Sequence, residues 1–121
     1  MLNVSYNEVK YRFIASANLD GSIVNLVAAV DIAEGSVVSV NSSGLAILAT
    51  ASTIPVGVAR YSRKAGTTIA VEGNCIIENK GTSLPLTPGT AVFAGAAGIV
   101  AGTGTNKVGV ALTANKVKIS L

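Results

Sequence analysis

Ile32-Ala33-Glu34-Gly35-Ser36-Val37-Val38 returns later in the chain as Leu86-Thr87-Pro88-Gly89-Thr90-Ala91-Val92. Gly44-Leu45-Ala46-Ile47 returns as Gly98-Ile99-Val100-Ala101, and Pro55-Val56-Gly57-Val58-Ala59 as Lys107-Val108-Gly109-Val110-Ala111. Gly35 and Gly89 stand 54 residues apart, as do Gly44 and Gly98; Gly57 and Gly109 stand 52 apart, so one connecting loop of the second copy is two residues shorter. Glycines recurring in register with apolar pairs mark a repeated series of turns and strands, since glycine accepts backbone angles that other residues resist. Two copies are too few for a solenoid. They suit two halves of one small barrel or sandwich.

Between and around these motifs lie short runs rich in Val, Ile and Thr, bounded by Gly, Asn, Ser or Pro. That pattern belongs to an antiparallel all-β barrel or sandwich. It predicts strands over 23–29, 36–40, 45–48, 56–61, 67–71, 74–78, 91–93, 99–101, 108–112 and 117–121. Thr67–Val71 and Val117–Leu121 alternate with period two, predicting one buried and one wet face on each. Asn41-Ser42-Ser43-Gly44 reads as a hairpin turn. Only Ala28–Glu34 reads as a candidate helical turn, which Gly35 would stop.

The chain has 121 residues, the length of one domain. Half of it is hydrophobic and 12% is charged, about half the usual charged share. Such a composition predicts burial against partners as well as within the chain. Net charge is +3, and Arg60, Arg63 and Lys64 form the sole basic cluster, with Tyr61 as its one aromatic neighbour. A nucleic-acid site calls for a basic stripe interleaved with stacking rings, so the cluster reads as a solvated loop. Lys116 and Lys118 alternate with Val117 and Ile119, as the polar face of a strand.

Catalytic chemistry has little to work with. There is no histidine, which removes the commonest general base and metal ligand. The six acids, Glu8, Asp20, Asp31, Glu34, Glu72 and Glu78, form no catalytic motif; Asp31 and Glu34 read as caps on local backbone amides at a turn. No Ser-x-x-Lys occurs to supply a lysine-assisted nucleophile. Gly95-Ala96-Ala97-Gly98 and Gly102-Thr103-Gly104-Thr105 lack the Lys-Ser/Thr ending of a phosphate-binding loop and read as turns. Cys75, the single cysteine, lies in an apolar run and reads as a buried structural thiol. The sequence therefore predicts no enzyme, no cofactor and no metal. Its longest apolar run is far too short for a membrane helix, and its start shows no signal peptide.

Residues 1–22 differ from the body at 23–121. They carry Tyr6, Tyr11 and Phe13, three of the five aromatic residues, together with Arg12. Asn18-Leu19-Asp20-Gly21 ends a possible strand at Lys10–Ala15 with a turn signal. This portion reads as an arm ordered against a neighbour, because rings and arginine bury large area at low entropic cost.

The order of motifs from Ile32 to Leu121 resembles the phage capsid cement, or head decoration, proteins. The shared series is an apolar-x-x-Gly-apolar opening (Ile32–Val38), a hairpin (Gly44–Ile47) and an apolar-Gly-Val-Ala box (Val56–Ala59). A Gly-x-x-apolar-x-Val-x-Gly strand (Gly66–Gly73) follows, then a shortened second round at Leu86–Val92, Gly98–Ala101 and Val108–Ala111, and an alternating end at Lys116–Leu121. The chain departs from that family at Asn74-Cys75, where a bulky apolar residue is usual, and residues 1–22 have no counterpart there. The resemblance implies a non-enzymatic β-barrel or β-tulip with two pseudo-repeated halves and an N-terminal arm. It implies a homotrimer, made in the host cytoplasm, that binds the major capsid protein on the virion exterior and bridges capsid subunits, with no nucleic-acid or membrane partner. Tyr6, Tyr11, Arg12 and Phe13 are then the expected capsid-binding arm residues, and Gly35, Gly44, Gly57, Gly89, Gly98 and Gly109 the structural turns. The rival classes are a receptor- or glycan-binding fibre module, for which aromatic platforms are few, and a tail-tube subunit, for which a long hairpin is expected.

Overall fold

The computed structural model of the chain describes residues 11–16, 23–79 and 86–121. All ten predicted strands form, most with ends shifted by one or two residues. The strands are β1 (Tyr11–Ser16), β2 (Ile23–Val27), β3 (Val37–Val40), β4 (Ala46–Leu48), β5 (Pro55–Ala59), β6 (Thr68–Glu72), β7 (Asn74–Asn79), β8 (Ala91–Ala94), β9 (Val100–Ala101), β10 (Lys107–Ala111) and β11 (Lys116–Ser120). Among the described residues a single 3-10 turn, at Ala96–Gly98, interrupts them. The chain is all-β.

Two antiparallel sheets result, in the orders β2-β6-β5-β3-β4 and β1-β7-β11-β10-β8-β9. Without β1, the second sheet copies the first: β2 to β6 and β7 to β11 occupy the same places in order. The repeat is therefore longer than the recurring motifs, since it includes β2 and β7, whose sequences share no obvious likeness. It extends to irregularities. The β3–β5 register slips between Val38 and Ser39, and the β8–β10 register slips at the matching place, between Lys107 and Gly109. Gly35 and Gly89 each donate from N–H to the carbonyls of Ala59 and Ala111 at 2.8 Å.

Two of the matched glycines serve close approach. A Cβ on Gly57 would sit 2.7 Å from the Glu72 carbonyl oxygen and from Val71 Cγ1, and one on Gly109 would run into the backbone of Lys118. Each glycine lets the box strand lie tight against its neighbour. The other four, Gly35, Gly44, Gly89 and Gly98, have φ between 76° and 84°, as turns require. Asn41 Oδ1 completes the first hairpin by accepting from the N–H groups of Ser43 and Leu45 at 2.9 and 3.0 Å.

The two sheets enclose two cores. The first sheet curls into a half-barrel whose rim is closed by a parallel bridge from Ala28 to Ala46, and Ile32, Val38, Ala59, Ile69 and Val71 fill it. The second sheet turns its inner residues, among them Ile77, Val92, Val108, Val117 and Ile119, onto Val37, Ala49 and Val58 from the back of the first. Both faces of the first sheet are thus covered, which corrects the expectation of a wet face on β6. There Ile69, Ala70, Val71 and Glu72 are all buried, and Glu72 is fully so. The alternation predicted at 117–121 holds only as far as Ile119: Val117 and Ile119 are buried and Lys118 half-buried, but Leu121 lies beyond the strand and is 48% exposed.

Ala28–Glu34 forms no helical turn. Its amides are drawn into cross-chain bonds instead: Ala29 N–H donates to the Ala46 carbonyl at 2.8 Å, and Ile32 exchanges bonds with Arg63 at 2.9 Å. Burying Ile32 completely across the barrel end outweighs a weak local helical preference.

Candidate functional site

Of the arm residues, Tyr6 lies outside the described residues. Tyr11, Arg12 and Phe13 lie on β1, which pairs antiparallel with β7 through Tyr11↔Asn79, Arg12↔Glu78 and Phe13↔Ile77. Residues 11–16 therefore find a strand partner within their own chain. A bulge between Phe13 and Ala15 leaves Ile14 unmatched and 40% exposed. Among the described residues β1 ends the sheet order, so its outer side is a sheet edge there. Arg12 is exposed, and its Nη2 reaches Glu78 Oε1 at 2.5 Å. The bond spans β1 and β7 on the outer face of the sheet.

That outer face is the most distinctive surface the strands build. Pairing places Ile76, Lys118, Val110 and Ala91 in one row across β7, β11, β10 and β8. Arg12, Glu78 and Lys116 form a parallel row, and Lys107 lies opposite Phe93. Ile76, Val110, Ala91 and Phe93 are half-buried. Lys118 Nζ is anchored by Asn74 Oδ1 at 2.7 Å and the Ile119 carbonyl at 3.2 Å. The lysines were visible in the sequence as one side of a strand. Their assembly with Ile76 and Val110 was not, because it depends on which strands become neighbours.

Within the Arg60/Arg63/Lys64 cluster, Arg63 and Lys64 have a structural task. Arg63 lies over the Tyr61 ring at 3.8 Å and bridges Ile32, while Lys64 faces Asp31 at 3.7 Å. Asp31 Oδ1 also accepts from Ala65 N–H at 2.9 Å, so it caps an amide far along the chain rather than a local one. Glu34 presents its own N–H to Ser62 Oγ at 2.9 Å. These contacts tie the 61–65 loop across the open end of the half-barrel.

Cys75 is buried, and its thiol is pushed up to about 12, first by burial and then by the nearby Glu72 carboxylate. A thiol so poorly ionised at neutral pH is not a nucleophile. Glu72 lies just before Gly73, where the chain passes from one sheet to the other, and its Oε2 accepts from Asn74 N–H at 3.3 Å. Sequence reading did not single it out, because only the layering of the sheets buries it. Among the described residues no group of three or more acidic, histidine or cysteine side chains is placed to hold a metal ion, and no helix is long and apolar enough to cross a membrane.

No family model matches the chain, and no curated protein matches it significantly.

Proposed function

We propose that this protein is a structural cement or decoration protein of an icosahedral phage head, binding the outer surface of the shell and bridging its major subunits. One observation carries the reading: a five-strand unit is used twice, in the motif order that resembles those proteins, to build a small β body. Rigid, short-looped β bodies suit repetitive adhesion, because little order remains to be imposed on binding. The outer side of β1 supports it further, since a sheet edge accepts a partner strand through main-chain hydrogen bonds. A trimer is the assembly we expect, with avidity from several weak contacts on one shell. No strand among the described residues exceeds six residues, which gives the tail-tube reading no long hairpin to build on.

Mixing the purified protein with expanded, undecorated heads of the phage that encodes it, then sedimenting and imaging them by cryo-EM, tests the proposal. Ordered added density on the head exterior, and heads that keep their DNA at higher temperature, are expected. Heads that pellet bare at micromolar protein overturn it.

A further inference from the structure

We infer that the outer face of the second sheet, centred on Ile76, Lys118 and Val110, is a docking surface for an acidic protein surface with an apolar centre. The inference stands apart from the head-binding reading and rests on the internal duplication. In the first half the row Ile23–Glu72–Val58–Val37 runs across β2, β6, β5 and β3. In the second half the row Ile76–Lys118–Val110–Ala91 runs across the matching strands in the matching places. The first row is an adhesion surface within this molecule: Glu72, Val58 and Val37 are all 0% exposed, and the two valines pack into the core shared with the second half. The second row keeps the same shape of apolar residues around one charge, yet Val110, Ala91 and Ile76 remain partly open to solvent.

Charge selects the occupant. The place filled by the Glu72 carboxylate in the first row is filled by the Lys118 ammonium in the second. Lys116 and Lys107 flank it on the same face, and the one carboxylate there among the described residues, Glu78, is engaged by Arg12. The face is therefore basic, with Lys118 set between the apolar Ile76 and Val110 and with Lys116 and Lys107 beside them. A second copy of this chain, itself carrying +3, would bring like charge to like if it met the first through this face. Carboxylates around an apolar patch complement it, pairing with the lysines while Ile76 and Val110 are covered. Duplex nucleic acid matches the charge and leaves Ile76 and Val110 uncovered.

The test uses the full-length, isotope-labelled protein and three probes: a helical peptide with a leucine stripe flanked by glutamates, the same peptide with lysines for glutamates, and a short DNA duplex. Amide shifts on titration should map to Ile76, Val110, Lys116 and Lys118 with the acidic peptide alone, and should weaken as salt is raised. The double variant K116E/K118E, checked for an unchanged spectrum elsewhere, should bind the acidic peptide at least about tenfold more weakly. Val110→Ser, which keeps the charges, should also weaken it. Shifts confined to Arg60–Lys64, equal binding of the lysine peptide, tighter binding of DNA on the same residues, or no shifts at millimolar peptide would each overturn the inference.

Discussion

The half built from β2 to β6 and the half built from β7 to β11 have the same strand order, the same slip in register and the same glycine turns, yet they enclose different things. The first curls on itself around Ile32, Ile69 and Val71; the second lies open against the back of the first. Loop length accounts for the difference. Between β5 and β6 the chain takes a long excursion over 60–67, which brings Arg63 to Ile32 and Lys64 to Asp31 and closes the barrel end. Between β10 and β11 the connection is the tight turn 112–115, organised by the Thr113 hydroxyl, which accepts from the N–H groups of Asn115 and Lys116. The inner face of the second half takes its cover from the back of the first. A repeated sequence pattern thus sets strands and turns, while the connections decide which face meets which.

Matched substitutions break or sharpen this comparison, and the largest contrast belongs to the middle of the two rows. Val58→Asp places a carboxylate at a 0% exposed site between the halves and should cost about 4 kcal/mol or prevent folding. Val110→Asp, at the matching place on the open face, should cost under about 1 kcal/mol in urea denaturation. Similar losses at both sites would mean that the halves are not layered as described.

The two cores come next. Ile69→Ala empties the half-barrel and Ile119→Ala the shared core, and both side chains are fully buried. Each should lose about 3 kcal/mol. The pair should lose close to the sum, because the cores are separate packing units. A strongly non-additive pair in the same denaturation assay would merge the two cores into one.

A finer contrast lies at the hairpins. Gly44 and Gly98 both have positive φ, but a Cβ on Gly44 meets nothing within 4 Å, whereas one on Gly98 falls 3.1 Å from Leu48 Cδ2 and from the Val37 carbonyl oxygen. Gly44→Ala should cost about 1 kcal/mol from backbone strain alone, and Gly98→Ala about 2 kcal/mol, as the second hairpin is pressed against the first half. Equal melting-temperature shifts would show that the 95–99 hairpin is not seated there.

Much of this was open to inspection in the sequence. Strands and turns were legible because Gly, Asn and Pro punctuate runs of β-branched residues, and the Gly57 and Gly109 boxes recur with their neighbours intact. β2 and β7 escaped as partners in the repeat, since Ile23–Val27 and Asn74–Asn79 share only their register against β6 and β11. The burial of Glu72 escaped as well. Its strand reads as half-wet by alternation, and only the second sheet, folded onto the first, removes its water. The outer-face row failed to show for the same reason, because neighbours across strands are not neighbours along the chain.

Cys75 reports on the join between the halves, with the smallest effect of the set. It packs in the shared core, where its thiol is raised to about 12, first by burial and next by Glu72. In the unfolded chain the thiol ionises near 9.0, the ordinary value for a free cysteine. The folded state therefore holds a proton that the unfolded state gives up between these values, so stability is intact below pH 9, falls as pH rises past it, and stops falling only near 12. At pH 10 the loss from this group is about 1 kcal/mol. A Cys75→Ala variant lacks this ionisation. Comparing urea stability at pH 8 and pH 10, the parent protein should lose about 1 kcal/mol more than the variant. An identical loss would mean that the thiol meets water in the folded state, and that the second sheet does not close over the first at Gly73.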